Sequence, residues 1–138
     1  MTFADVPEDA LLLVDTAPII YVLDGHPTLG PRFRPLFEAQ RQGRVRFAVT
    51  TTAIVETLVG PFRAGDEATA RRYKTVLEAW QVVELDVGIA EGAARLRALH
   101  NLKLSDAIHA ASALAINADA LVTHDRDFSR VRALRVIS

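Results

Sequence analysis

The chain has 138 residues, 50% of them hydrophobic, and its 16 basic and 17 acidic residues give a formal net charge of −1. This length corresponds to one ordinary domain, residues 1–138, which can bury a hydrophobic core without stabilising disulfides or metal ions. The absence of cysteine excludes disulfides, thiolate metal sites and a cysteine nucleophile, and the charge balance argues against binding to DNA through bulk positive charge.

The sequence shows no sign of a membrane segment or of a secretory leader. No apolar run approaches the ~20 residues of a membrane span. The first ten residues, MTFADVPEDA, are acidic and lack the basic start of a signal peptide. We therefore expect a soluble cytoplasmic protein that does not contact a membrane.

The first half of the chain alternates short strands with helices. Residues 10–14 form a continuous apolar run, which predicts a strand that is covered on both faces. Thr51 or Thr52 is the expected cap of the third helix. In chain order the elements are a strand over 10–14, helices over 19–23 and 31–42, a strand over 46–50 and a helix over 53–59.

The second half continues this alternation. Asp66 and Ser105 are the expected caps of the first and the last of its helices. In chain order the elements are a helix from 66 to 80, a strand over 82–85, helices over 89–99 and 106–116, and strands over 120–123 and 134–137.

Strands that alternate with helices are typical of βαβ units, in which helices cover both faces of a parallel sheet. We therefore predict an α/β fold, a three-layer α/β/α sandwich with a central, mainly parallel sheet of about five strands. Ligands of such sheets bind outside the carboxyl ends of the strands.

Four carboxylates from separate segments are expected at that edge. Asp15 follows the first strand, Asp125 follows the fourth, Glu56 lies about one turn into the helix after the second strand, and Asp106 opens a later helix. Clustered like charges resist joint ionisation. A divalent cation that prefers hard oxygen ligands, Mg²⁺ or Mn²⁺, offsets this cost. Such a cation can activate water and stabilise the leaving oxygen of a phosphodiester.

Each carboxylate also has a purely structural interpretation. Asp15 can cap a helix, Asp106 can stabilise a helix N-terminus through the macrodipole, and Asp125 can be a turn residue. Glu56 stands in a largely apolar helix, where a carboxylate is unusual unless it faces water or a metal. The four together favour a site.

Two histidines and several aromatic side chains stand near these positions. His109 falls one helical turn after Asp106, so it can approach the site, lie on the helix surface or bond elsewhere. His124 is expected to point away from Asp125 if the fourth strand continues. The aromatic side chains are interpreted as core rather than as base-stacking platforms: Phe33, Phe37, Tyr73 and Trp80.

Four sequence blocks together resemble the PIN domain family, and in particular its VapC-type toxin ribonucleases. The blocks stand in the family's order and span nearly the whole chain. They are LLVDTA at 12–17, TAIVETLVG at 52–60, LSDAIHAASAL at 104–114 and LVTHDRDF at 121–128.

The resemblance implies a metal-dependent endoribonuclease that hydrolyses RNA phosphodiester bonds and is neutralised by an antitoxin protein. It implies that Asp15 and Asp106 are the main ligands of Mg²⁺ or Mn²⁺ and that Asp125 completes the metal pocket. Glu56 would complete the catalytic set by ligating or orienting a second metal or its water.

The resemblance also bears on the surroundings of these acids. Thr16 and Thr123 are candidate supporting hydroxyls, and Asp127 either shares the pocket or turns the chain. The arginine-rich stretches 32–46 and 126–135 are expected to contact the RNA backbone. PIN toxins commonly pair, so we also expect a homodimer.

Two other classes of protein that cluster acids lack support in this sequence, whereas two variants of the PIN interpretation stay open. Haloacid-dehalogenase-like phosphatases need a second acid two residues after the first, where this chain has Ala17. Receiver domains need an aspartate pair near the first strand and a late lysine, which this chain lacks. A PIN-fold module that binds RNA or protein without cleavage, or a PIN nuclease outside toxin–antitoxin systems, remains an alternative.

Overall fold

A computed structural model describes residues 2–138 and confirms the predicted alternation of helices and strands. The helices are α1 (Thr16–Leu23), α2 (Leu29–Arg41), α3 (Thr51–Arg63), α4 (Glu67–Glu78), α5 (Val87–His100) and α6 (Leu104–Ala115). The strands are β1 (Leu11–Val14), β2 (Arg46–Thr50), β3 (Gln81–Val83), β4 (Ala120–Val122) and β5 (Val136–Ile137). Short 3₁₀ helices cover Phe3–Asp5 and Arg126–Arg130.

The strands form one sheet in the order β3-β2-β1-β4-β5, and every neighbouring pair is parallel. β1 lies at its centre, where Leu12 is in register with Phe47 of β2 and Ala120 of β4. Because all strands run in one direction, their carboxyl ends share one edge, where the loops of a parallel sheet gather ligands.

The central strand shows how the sheet separates two cores. Leu12 and Val14 pack into a cluster with side chains of α1 to α4, whereas Leu11 and Leu13 pack into a second cluster with α5 and α6. All four residues of β1 are buried, which explains the continuous apolar run in the sequence. The predicted α/β/α sandwich is therefore confirmed.

Most predicted elements have different bounds in the structure; for example, α1 begins at Thr16 rather than at 19, and α3 covers 51–63 rather than 53–59. β3 covers 81–83 rather than 82–85, and α2 begins at Leu29, before the predicted start at 31. β5 covers 136–137 rather than 134–137, because the backbone N–H of Leu134 bonds to Val131 in a turn.

Two predicted caps were wrong, and one was right. The hydroxyl of Thr50, the last residue of β2, accepts the Ala53 N–H and caps α3, so strand and helix meet without an intervening residue. α6 begins at Leu104 after Lys103, which places Ser105 inside the first turn. Asp66 caps α4 as predicted, accepting the Thr69 N–H.

The aromatic residues divide between core and boundary. Phe33, Phe37 and Trp80 are buried as predicted. Tyr73 is only partly buried, because its hydroxyl reaches out to Asp24. Within residues 2–138, no helix combines the length and the apolar character needed to cross a membrane.

Candidate functional site

Asp15 connects the centre of the sheet to the first helix. Its side chain is buried at the end of β1, where Oδ1 accepts the Thr16 N–H at 2.8 Å and caps α1. Oδ2 accepts the hydroxyl of Thr123 at 2.7 Å. The capping interpretation is therefore correct, and it leaves the carboxylate fixed between two strands.

Asp125 is held by the same threonine. Its backbone N–H donates to the Thr123 hydroxyl at 3.0 Å, and its carboxylate accepts the Asp127 N–H at 2.8 Å at the start of a 3₁₀ helix. Asp127 therefore turns the chain through its backbone, and its own carboxylate lies 3.3 Å from the guanidinium of Arg130. Among residues 2–138, the second carboxylate oxygen of Asp125 takes part in no hydrogen bond.

Asp106 lies in the first turn of α6 and has the least favourable environment of the four acids. The residue is buried, and its Oδ2 has no hydrogen-bond partner among residues 2–138. Burial is the main cause that raises the pKa of Asp106 to about 6, and the nearby negative charges of Asp15 and Asp125 contribute to the same rise. The carboxylates of Asp15 and Asp125 are therefore close enough to Asp106 to oppose its ionisation.

Glu56 lies on α3 at the exposed rim, with 40% of its side chain accessible. Its Oε1 accepts the Thr16 hydroxyl at 2.8 Å and lies 3.5 Å from Nε2 of His109. The hydrogen bond to His109 is the main reason why the pKa of Glu56 lies below its ordinary value; Thr16 adds to the effect, while partial burial opposes it. Glu56 is therefore a carboxylate at neutral pH.

His109 is the site residue that the sequence left undecided. It is 1% exposed, with Nδ1 3.0 Å from the Thr50 hydroxyl and Nε2 3.4 Å from Oδ1 of Asp15 and 3.4 Å from the Thr16 hydroxyl. The Thr50 hydroxyl already accepts a backbone N–H, so its hydrogen can point to Nδ1. The ring proton then stands on Nε2, facing the oxygens of the site.

The structure thus brings the predicted acids together through two kinds of contact. His109 joins Asp15 to Glu56 through one ring nitrogen. The charges of Asp15 and Asp125 both act on Asp106. The predicted supporting roles of Thr16 and Thr123 agree with their hydrogen bonds to Glu56 and Asp15.

The donor set suits a hard divalent cation. Among residues 2–138, no three His, Cys, Asp or Glu side chains are grouped closely enough to form a complete cage for an ion. Mg²⁺ is commonly held by one or two carboxylates, with waters and substrate phosphate oxygens as its other ligands. Asp106, whose Oδ2 has no hydrogen-bond partner among residues 2–138, and Asp15, whose charge acts on Asp106, are two carboxylates of that kind.

Comparisons with known proteins agree with this architecture. A family model, the PIN domain, matches residues 12–134. No curated protein sequence gives a significant match.

Solved structures share the fold over most of the chain. A toxin–antitoxin complex from Klebsiella pneumoniae is 24% identical with a TM-score of 0.72, over 92% of this chain and 96% of the other. VapBC2 from Rickettsia felis, bound to a DNA fragment from its promoter, is 18% identical with a TM-score of 0.73, over 91% and 96%. VapC20 from Mycobacterium tuberculosis, a toxin that cleaves the sarcin–ricin loop, is 15% identical with a TM-score of 0.72, over 86% and 93%.

Proposed function

Because the chain belongs to the PIN domain family, we propose that it is a metal-dependent endoribonuclease of the VapC type that hydrolyses RNA phosphodiester bonds with Mg²⁺ or Mn²⁺. One observation carries the proposal. Asp106 is buried beside Asp15 and Asp125 with an unpartnered oxygen. Such an arrangement is unfavourable in the empty protein and becomes favourable when a cation is bound.

The proposed ligands of the cation are Asp15, Asp106 and Asp125. When bound, a divalent cation supplies Lewis-acid activation of water and of the phosphodiester. The chain fixes the donors in advance, because the Thr123 hydroxyl and the α1 backbone hold both oxygens of Asp15. Asp106 offers its free Oδ2 to the same region.

Glu56 is the proposed group that orients the attacking water. It is ionised and partly exposed, so it can accept a hydrogen bond from water at the rim of the site. Contacts of Oε1 with the Thr16 hydroxyl and with Nε2 of His109 fix the position of the carboxylate. His109 also faces Asp15, so one ring positions both acids.

RNA is the proposed substrate because of a shared fold. VapC20, which has the same fold, cleaves an RNA loop. The structure of this chain supports hydrolysis of a phosphodiester by its carboxylates, and the choice of RNA rests on that neighbour and on the family.

The test is cleavage of cellular RNA by the purified protein in Mg²⁺, in Mn²⁺ and in EDTA. The wild type is expected to cut RNA with either cation and not in EDTA. Asp106→Asn is expected to lose the activity. Asp119→Asn is the matched control, because it removes the same charge at the opposite edge of the sheet. Asp119 accepts the Leu11 N–H there. Cleavage in EDTA, or by Asp106→Asn at the wild-type rate, would refute the proposal.

We also propose that the protein is the toxin of a pair and is neutralised by a protein antitoxin. The support is the fold shared with the chains of toxin–antitoxin complexes. Induced expression is expected to arrest growth, and the Asp106→Asn variant is expected to be harmless at the same protein level. Growth arrest by both would indicate a binding toxin without cleavage.

A homodimer is the proposed state of the free protein. Apolar side chains stand exposed on α3 and α4, at Val55, Phe62 and Val76. Sedimentation of the wild type and of Phe62→Glu is the test, and a dimer that becomes a monomer in the variant is the expected result. A wild-type monomer at high concentration would contradict it.

A further inference from the structure

The two arginine-rich stretches of the sequence meet in one cavity beside the carboxylates. The cavity has a volume of about 340 Å³ and is lined by Arg32, from the start of α2, and by Arg126, from the 3₁₀ helix after β4. This volume is in the range of small-ligand sites, which runs from about 300 to 1,000 Å³.

The two guanidinium groups are available to a ligand. Neither has a carboxylate partner within ion-pair distance in the described part of the chain, whereas Arg41, Arg46 and Arg130 are each paired with an acid. Free guanidinium groups bind phosphate oxygens through two parallel N–H donors. Arg32 is also placed against the ring of Phe33, with 5.9 Å between its guanidinium carbon and the ring centroid.

An aromatic ring also lines the cavity. His124 lines the cavity and is held edge-on by Tyr21 and Phe33, with ring centroids 5.9 and 6.2 Å apart. The residue is exposed, so part of its ring faces solvent. β4 ends at Val122, and His124 lines the same cavity as Asp125 instead of pointing away from it.

Asp125 links the cavity to the carboxylate cluster. It is the one acidic side chain in the lining, and its charge also acts on Asp106. The cavity and the carboxylate cluster therefore share one side chain.

We propose that this cavity is an RNA subsite, in which Arg32 and Arg126 bind a phosphate next to the one that is cleaved and His124 stacks on the adjoining base. The inference rests on the proposed nuclease function and deepens it by assigning the residues that hold the RNA strand. Stacked bases and backbone phosphates are the two contacts by which proteins hold single-stranded RNA.

The phosphate contacts are tested by salt-dependent binding. A fluorescein-labelled single-stranded RNA of mixed sequence is titrated in EDTA, where no cutting is expected, over a series of salt concentrations. Arg32→Gln and Arg126→Gln are each expected to weaken binding about 5- to 10-fold at low salt. Each is also expected to reduce the slope of log affinity against log salt by about 0.7, the value for one lost phosphate contact on a single strand.

Arg97→Gln is the matched control. Arg97 is an exposed arginine of α5, on the other face of the sheet, and like Arg32 it has no ion-pair partner among residues 2–138. Affinity and slope are expected to stay at wild-type values. An equal loss in Arg97→Gln and Arg32→Gln would mean that bulk charge attracts the RNA and would overturn the subsite.

The stacking contact is tested by a different signature. His124→Ala is expected to weaken binding on the order of tenfold without changing the salt slope, since no ionic contact is lost. His124→Phe is expected to restore binding, because the ring is retained. A phenylalanine variant as weak as the alanine variant would overturn the stacking role.

Cleavage measured on the same proteins separates the subsite from the proposed function. A wild type that cuts RNA while Arg32→Gln and Arg126→Gln bind normally refutes the subsite alone. A wild type that binds through both arginines without cutting in Mg²⁺ refutes the nuclease and retains the subsite. A wild type that neither binds nor cuts refutes both.

Discussion

The hydroxyl of Thr123 donates a 2.7 Å hydrogen bond to Oδ2 of Asp15, so the loops after two neighbouring strands are tied together at the carboxyl edge of the sheet. The same hydroxyl accepts the N–H of Asp125. One buried threonine therefore sets the positions of two acids of the candidate site.

Replacement of this threonine by valine is expected to damage both stability and activity. Thr123→Val leaves an oxygen of buried Asp15 without a donor, which costs about 1–3 kcal/mol of unfolding free energy. Activity is expected to fall about 10- to 100-fold, as for other groups that orient metal ligands. Urea denaturation and RNA cleavage measure the two effects. Thr123→Ser, which keeps the hydroxyl, should stay near wild type, and a serine variant as impaired as valine would contradict the role.

The raised pKa of Asp106 predicts how stability depends on pH without metal. The pKa of Asp106 is about 6 in the folded state, against an ordinary value of 3.8. The protonated carboxyl therefore contributes stability to the folded protein at low pH, and this contribution is lost as pH rises from about 4 to about 6. Asp106→Asn removes that loss. It is expected to raise the unfolding free energy at pH 7 by about 1–2 kcal/mol, after allowance for solvent screening.

Chemical denaturation in EDTA at several pH values measures this effect. The gain from Asp106→Asn is expected to shrink as pH falls from about 6 to about 4, because the carboxyl of the folded wild type is then protonated. A variant that is less stable than wild type at pH 7, by the same margin as at pH 4, would contradict the assignment.

Loss of His109 is expected to destabilise the protein and to release Glu56. His109→Ala removes a buried ring and its hydrogen bond to Thr50, at a cost of about 2–3 kcal/mol. The pKa of Glu56 is expected to rise towards its ordinary value, because the hydrogen bond that lowers it most is gone. Carboxyl NMR titration follows the shift directly. His100→Ala, at the partly exposed end of α5, is the control; an unchanged Glu56 titration in His109→Ala would contradict the contact.

Two glycines are expected to respond in opposite ways to alanine. A Cβ on Gly30 would stand 2.9 Å from the carbonyl oxygen of Tyr21, so Gly30→Ala forces α1 and α2 apart at a cost of about 1–3 kcal/mol. Gly60, in α3, has nothing within 4 Å of that position. Gly60→Ala is expected to gain about 0.5–1 kcal/mol through helix propensity. Thermal unfolding of both variants checks the pair, and equal shifts would contradict the packing of α1 against α2.

The architecture and the four acids were readable from the sequence because each has a local signal. The apolar run of β1 stops at Asp15, and the periodic helices that follow each strand place their first polar residues at one edge. Asp106 and His109 lie three residues apart on α6, which puts them on one helix face. The spacing from Asp106 is what indicates that His109 can approach the site. Every residue from Asp106 to Ala113 is buried, so α6 has no exposed polar face in this stretch from which the direction of the His109 side chain could be predicted.

The rest depends on contacts between distant segments. The length of β5 is set by its pairing with β4, which the sequence 134–137 does not encode locally. Arg32 and Arg126 meet only because α2 and the loop after β4 lie at the same edge of the sheet. The hydrogen bond from Thr123 to Asp15 likewise joins residues far apart in the sequence.

The most direct measurement is Mn²⁺ binding, followed by electron paramagnetic resonance, on the samples that are assayed for RNA cleavage. Wild type and Asp119→Asn are expected to bind Mn²⁺ and to cut RNA, whereas Asp106→Asn is expected to lose both. Mn²⁺ binding and cleavage by Asp106→Asn at wild-type levels would contradict a cation site built on the carboxylates at the edge of the sheet.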